Sequence, residues 1–235
     1  IEVTADVYPY DFWNSTLRVL FPKRDYDNPA SADFAVRQLF NPAKSVLVRY
    51  APAPTYVGRT LSQISRMRER TESATLMELI AESARFKKEN PGYPYSVEAI
   101  AAQAMWDGDV HRFLEWPHSN VCSDGRSGGH PRGFGAFTKF LRVYVRERKE
   151  LTLEEAIHKM TALGAEHVGI KKRGRIQPGY YADLVLFDPA TVSDRANLQD
   201  PKAISSGIEA VWINGRQTYQ QGLTTLERPG ILIVR

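Results

Sequence analysis

The segment whose residue types could do chemistry is Ser123-Asp124-Gly125, which ends the apolar run Asn120-Val121-Cys122. In parallel α/β folds the carboxyl ends of strands carry the active site. A carboxylate at such a corner is placed to bind a metal and to accept a proton from the water bound there. The same tripeptide also reads as an ordinary turn, because Asp-Gly favours turns, and spacing alone leaves both readings open. The following stretch, Gly128-Gly129-His130-Pro131-Arg132-Gly133-Phe134-Gly135, comes after a strand and opens a helix, which is the setting of a phosphate loop. It fits neither the dinucleotide fingerprint nor the Walker pattern, and Pro131 removes one backbone donor. The planar fork of Arg132 suits a substrate carboxylate, and it suits a structural ion pair equally well.

The five histidines are His111, His118, His130, His158 and His167. None forms a His-x-His or His-Glu-x-x-His pair, so the chain shows no complete metal site of its own. His130 is the one that sits next to the Asp124 corner, in the loop that follows it, while His158 and His167 fall on predicted helices and read as structural. Cys122 reads as a small packed residue rather than a nucleophile, and no Gly-x-Ser-x-Gly elbow surrounds Ser123 or Ser127. A second strand end, Tyr8-Pro9-Tyr10, could send Tyr10 or Ser15 toward the same site. Phe12 and Trp13 beside them favour packing instead.

The elements that must hold these residues follow from periodicity and punctuation. Ile1 to Tyr8 reads as a strand already under way, and Ser45 to Tyr50 as a second one ended by Ala51-Pro52-Ala53-Pro54. Helices are expected over 60–70, over 75–88 with Leu76, Leu79, Ile80 and Ala84 on one face, and over 96–105 with Ser96 as N-cap. A short helix over 110–114 leads to the strand 120–123. A long helix over 135–147 is expected to turn Phe137, Phe140, Leu141, Tyr144 and Val145 inward. Thr152-Leu153-Glu154-Glu155 is a capping box for a helix reaching about Leu163. Alternating helix and strand predict a parallel α/β sheet or barrel up to that point. After Gly169 the chain turns β-rich: 182–189, 207–216, 218–219 and 232–234 read as β runs, with Asn214-Gly215 as a two-residue hairpin turn.

Composition narrows the class. The chain has 235 residues, 43% hydrophobic and 11% aromatic, enough for a packed core and too apolar for a disordered chain. No stretch approaches the ~20 apolar residues that span a bilayer. A balance of 31 Lys and Arg against 27 Asp and Glu, spread along the chain, gives no nucleic-acid footprint. One cysteine excludes an internal disulfide and suits a reducing, cytoplasmic setting. The first residues carry no initiator Met and no signal-peptide pattern, so the chain reads as a piece of something longer.

Several of these strings together resemble one family. Val3-Thr4-Ala5-Asp6-Val7-Tyr8-Pro9-Tyr10, then Val121-Cys122-Ser123-Asp124-Gly125 with His130-Pro131-Arg132, are similar to N-acyl-D-amino-acid deacylases (D-aminoacylases) of the metal-dependent amidohydrolase superfamily. The tail, Arg173-Gly174-Arg175-Ile176-Gln177-Pro178-Gly179 through Ala182-Asp183-Leu184-Val185-Leu186-Phe187-Asp188-Pro189 and Val211-Trp212-Ile213-Asn214-Gly215, resembles the superfamily's C-terminal signature. Residues 20–110 match only loosely.

The resemblance implies an α/β fold: residues 1–169 as the C-terminal part of a (β/α)8 TIM-type barrel, residues 170–235 as a small β-sandwich domain. It implies a zinc-bound water that attacks an amide carbonyl of an N-acyl-D-amino acid. Asp124 would be the general base, would protonate the leaving amine, and would touch the metal. Tyr10 and Ser15 fall in the loop that holds the substrate carboxylate, and His130 and Arg132 match the family's His-Pro-Arg. The family's His-x-His strand, its metal-bridging residue and its two later histidine ligands precede the part matched here, so the remaining zinc ligands are expected upstream of residue 1. A whole barrel takes ~250 residues, so the chain is expected to lack the first half of the barrel and to be catalytically incomplete alone. Its expected partners are a small N-acyl amino acid, that missing half and, in a homo-oligomer, further copies, with neither membrane nor nucleic acid. Two rivals remain: a cyclic-amide amidohydrolase of the dihydropyrimidinase or hydantoinase kind, and a non-catalytic scaffold of the same fold.

Overall fold

The computed structural model describes residue 1 and residues 3–125 and 129–233. In chain order they form β1 (Ala5–Val7), β2 (Phe12–Ser15), α1 (Pro29–Phe34), β3 (Val46–Tyr50), α2 (Leu61–Arg68), α3 (Glu72–Glu89), β4 (Glu98–Gln103), α4 (Asp107–Glu115) and β5 (Ser119–Val121). There follow α5 (Arg132–Phe140), continued by a π-helical stretch Leu141–Glu147, then α6 (Leu153–Met160), α7 (Ala162–His167), β6 (Leu184–Phe187), β7 (Ile208–Ile213), β8 (Arg216–Gln220) and β9 (Leu223–Thr224).

The architecture is mixed α/β, with three separate sheets among the described residues. β1 and β5 pair in parallel, Asp6 opposite Asn120 and Val7 opposite Val121. Cys122 extends that ladder by donating its N–H to the Val7 carbonyl at 3.0 Å. No barrel closes around this pair among the described residues. Most of the chain between the two strands builds its own antiparallel sheet, in the order β2-β4-β3.

That sheet corrects one expectation. Residues 96–105, rich in alanine and expected to be helical, contain the central strand β4. Glu98, Ile100 and Ala102 alternate into the core while β2 and β3 take the backbone donors and acceptors on either side. Alanine's helix propensity is a weak preference, and pairing with two strands outweighs it. Ser96 caps nothing; its hydroxyl donates to the Glu98 carbonyl at 2.7 Å. The buried Glu98 carboxylate accepts the Leu17 N–H at 2.7 Å, and burial raises its pKa.

The helices over this sheet follow their signals. Thr60 and Gln63 close a capping box at the start of α2, and the Thr71 hydroxyl accepts the Ala74 N–H to start α3. Leu47, Tyr50, Leu61, Ile64, Leu76, Leu79 and Ile100 form the first core. At its edge Arg68 clasps both Glu82 oxygens at 2.8 Å, and the Tyr50 hydroxyl donates to Glu82 at 2.6 Å.

A second core joins β1 and β5 to the later helices through Val110, Leu114, Val121, Phe140, Leu141, Tyr144 and Ala156. Phe137, expected inside, is 43% exposed because it lies on the outer face of α5. The expected helix from Thr152 to Leu163 breaks at Thr161 (φ −134°, ψ −87°), so α6 and α7 are separate. Lys159 of α6 is buried and donates to the carbonyls of Trp116 (2.5 Å) and Ser119 (3.2 Å) and to the Ser119 hydroxyl (3.2 Å). It thereby ties α6 to the corner from which β5 starts.

The tail is one antiparallel sheet in the order β6-β7-β8-β9. Asn214 (φ 50°) and Gly215 (φ 79°) make the hairpin turn between β7 and β8, both in the left-handed region such a turn needs. Asp183 accepts the Asn214 N–H at 2.8 Å, while Arg173 reaches both the Asp183 carboxylate and the Asn214 side chain. Leu232 and Ile233 join no strand, and Val234 lies outside the described residues. Among the described residues no helix is long and apolar enough to cross a membrane.

Candidate functional site

Strand alternation sets the site. Val7 and Val121 face the helices of the second core, so Asp6 and Asn120 project from the opposite face, where Asn120 Nδ2 donates to Asp6 Oδ1 at 3.0 Å. Cys122 and Asp124 follow just past the carboxyl end of β5. Asp124 adopts φ 40°, a left-handed conformation that Asp tolerates better than most residues. Its carboxylate is more than half exposed and meets Arg132 Nη2 at 2.6 Å. Arg132 Nε donates to the Asp124 carbonyl at 2.9 Å, and the guanidinium lies 4.5 Å over the Tyr8 ring. Arg132 itself is 5% exposed, so a buried arginine holds an accessible carboxylate at the strand end.

Next to this pair, burial raises the Tyr8 hydroxyl pKa, with Arg132 opposing and Asp124 adding to the shift. Burial likewise raises the Cys122 thiol, helped by the Asp6 and Asp124 carboxylates. A thiol so disposed stays protonated at neutral pH and is a poor nucleophile.

His130 is the hinge between the loop and the β2-β4-β3 sheet. Its Nδ1 accepts the Arg132 N–H at 3.0 Å, so Nε2 carries the proton and donates to the Phe12 carbonyl at 2.8 Å. The ring stacks on Phe12 at 4.5 Å and meets Tyr10 edge-on at 5.2 Å. Burial pushes its pKa down to about 4, so it is neutral and both nitrogens are engaged. One residue earlier, Gly129 has φ 82°, and a Cβ there would lie 2.6 Å from Val48 Cγ2. Only glycine lets this loop rest on β3.

The residues singled out in the sequence divide accordingly. Asp124, Arg132 and His130 come together. Tyr10 packs on His130, but its buried hydroxyl sits by Gly135 and Asp194 on α5's side, and the tyrosine against the Asp124–Arg132 pair is Tyr8. Ser15 lies opposite Ile100 on the Trp13 face of β2, which packs into the first core, while Phe12 and Asn14 face the loop. Arg126, Ser127 and Gly128 lie outside the described residues, and with them part of the phosphate-loop reading. His111 pairs with Glu150 at 2.9 Å, His118 packs on Trp116, and His158 and His167 sit on α6 and α7.

Sequence reasoning missed Tyr8 and Lys139. The Lys139 ammonium lies 3.9 Å over the Tyr10 ring, and burial lowers its pKa. The signal for Lys139 was its position seven residues after Arg132, two turns along one helix; for Tyr8 it was its closeness to the strand end.

Among the described residues no three His, Cys, Asp or Glu side chains stand close enough to hold a metal ion. A catalytic zinc takes about three protein ligands. The described residues therefore do not by themselves make up a complete metal centre, and at the strand end Asp124 is held by the Arg132 cation.

Comparison with known proteins follows the same lines. The model of the amidohydrolase family matches residues 119–219. The chain is 50% identical over 129 residues to the N-acyl-D-aspartate deacylase of Alcaligenes xylosoxydans xylosoxydans, covering 54% of this chain and 26% of that protein. It is 30% identical over 237 residues to the D-aminoacylase of the same organism, covering 100% of this chain and 42% of that one. The crystal structure of the N-acyl-D-glutamate deacylase of Bordetella bronchiseptica, complexed with zinc and a phosphonate inhibitor, superposes with a TM-score of 0.73 at 30% identity. That superposition covers 95% of this chain and 41% of that protein. The chain thus spans less than half the length of these relatives. With the Asp124 corner, the His130-Pro131-Arg132 loop and the Asp183–Asn214 tail all in matched sequence, it is a homologue of the N-acyl-D-amino-acid deacylases of the amidohydrolase family, corresponding to part of their length.

Proposed function

We propose that this chain supplies the acid–base carboxylate of an enzyme that hydrolyses the amide bond of N-acyl-D-amino acids. The observation that carries the reading is Asp124, exposed at the carboxyl end of a parallel strand and held by the buried Arg132. In this role Asp124 takes a proton from the water that attacks the amide carbonyl. It returns that proton to the nitrogen as the C–N bond breaks, leaving a carboxylic acid and a free amine. Arg132 fixes the carboxylate and, from its buried place beneath it, adds positive charge that attracts the substrate's own carboxylate. His130 holds the loop, and Tyr8 and Tyr10 wall the arginine and the histidine.

The zinc of the related glutamate deacylase would need further ligands from outside these 235 residues, and the second domain reading, residues 170–235 as a β-sandwich, likewise needs a second layer from elsewhere. Residues 1–169 would then be the closing part of a (β/α)8 barrel.

The test is release of free amine from N-acetyl-D-amino acids by the complete polypeptide, beside its Asp124→Asn variant. The expected loss is about a hundredfold or more in kcat. Activity unchanged in that variant removes Asp124 from the role, and failure of the unaltered protein on every linear N-acyl-D-amino acid overturns the reading. A dihydroorotase of Lactobacillus acidophilus, 27% identical over 123 residues, makes cyclic amides the comparison substrates in the same panel.

A further inference from the structure

The face of the β2-β4-β3 sheet on which Gly129 and His130 rest carries a cation that has no carboxylate partner among the described residues. Register places Phe12 opposite Gln103, Asn14 and Val46 opposite Ala101, and Arg49 opposite Ala99. These residues share one face, since Leu47, Tyr50, Ile100 and Glu98 fill the core on the other. Val48 is the extra residue of a bulge between Leu47 and Arg49. Its side chain, with that of Asn14, is what a Cβ on Gly129 would strike. Gly129, five residues after Asp124, therefore rests on this face at Val48, the residue before Arg49.

Arg49 is half-buried there, and Ala99 and Ala101 leave the strand beside it almost without side chain. Among the described residues no carboxylate comes within ion-pair distance of its guanidinium, which lies 6.0 Å over the Tyr95 ring. By contrast Arg68, Arg132, Arg142 and Arg173 are all paired with carboxylates. Withdrawing a guanidinium partly from water without a partner is costly. A cation kept in that state beside an active-site loop is suited to a charge that arrives with a ligand.

We propose that Arg49 is a specificity-determining residue that receives the side-chain carboxylate of the substrate, so that the preferred substrates are N-acyl amino acids with an acidic side chain. This rests on the amide-hydrolase reading above. Arg49 acts on the choice of substrate, by pairing with a second carboxylate, and takes no part in the proton transfers at Asp124.

The experiment compares N-acetyl-D-aspartate and N-acetyl-D-glutamate with N-acetyl-D-leucine on the complete polypeptide and on its Arg49→Leu and Arg49→Lys variants. The unaltered protein is expected to favour the dicarboxylates. In Arg49→Leu the ratio of kcat/KM for dicarboxylate over leucine substrate is expected to fall about a hundredfold, mostly through KM, with part of it restored in Arg49→Lys. A preference for the leucine substrate in the unaltered protein, or an unchanged ratio in Arg49→Leu, overturns the proposal. Equilibrium binding of N-acetyl-D-aspartate against N-acetyl-D-leucine, with and without Arg49, is read in parallel. If nothing is hydrolysed, the amide-hydrolase reading fails, while a dicarboxylate preference in binding that Arg49→Leu abolishes still upholds the role of Arg49. Equal binding of the two ligands overturns it.

Discussion

At the scale of single residues, His130 makes the most direct prediction. Its folded pKa of about 4 lies below the ordinary 6.5 because burial disfavours the charged ring. The unfolded chain therefore binds this proton first as pH falls. Its contribution is fully present above about 6.5 and is lost on acidification toward 4, worth about 3 kcal/mol over that window. In denaturant titrations at pH 7 and pH 4.5, the unaltered protein should lose more stability than His130→Gln. An equal loss would mean that the ring is not buried neutral. Gly129 makes a second prediction. Gly129→Ala meets both a left-handed backbone and Val48, so it should cost about 2 kcal/mol. Adding Val48→Ala should return only part of the steric cost, because the Val48 Cβ, 2.7 Å from the added methyl, remains, and it should leave the backbone part untouched; melting of the two variants measures what is returned.

At the scale of elements, Lys159 shows how a helix positions a strand it does not follow directly. The ammonium serves the Trp116 and Ser119 carbonyls and the Ser119 hydroxyl, where α4 gives way to β5. Lys159→Met keeps the buried stem and strands these acceptors, with an expected loss of about 2 kcal/mol by chemical denaturation. A neutral result would show that water replaces the ammonium there. The same scale explains what the sequence made legible. The capping box at Thr152 marked its helix because it uses only local atoms. Residues 96–105 misled because nothing local in Glu98-Ala99-Ile100-Ala101-Ala102-Gln103 says that a strand will lie on each side. The break at Thr161 and the outward turn of Phe137 were hidden for the same reason, since neighbours distant in sequence decide both.

At the scale of the whole molecule, two hydrophobic cores form separately, one under α2 and α3 and one under α5 and α6. His130 on Phe12, and Gly129 on Val48 and Asn14, join them at the loop that presents Asp124. Two cores with so narrow a junction should open as distinct units. Native-state hydrogen exchange is expected to give one opening free energy for the amides of α2 and α3 and another for those of α5 and α6. Phe12→Ala should widen the gap between them, and a single shared value across all four helices would contradict this division.

The sequence by itself determined the chemistry on offer: a carboxylate at a strand end, a His-Pro-Arg loop behind it, and a β-rich tail that turns at Asn214-Gly215. These are readable because short segments hold them, through turn propensities, caps and fixed spacings. The tertiary structure alone decided which side chains meet that carboxylate. It buried Arg132 beneath Asp124, set Tyr8 rather than Tyr10 against the pair, turned Ser15 into a core-facing position, and brought Arg49 to the face on which the loop rests. Those outcomes depend on strand register and on packing between residues distant in sequence, and a one-residue change of register would have reversed the face that Ser15 and Arg49 present.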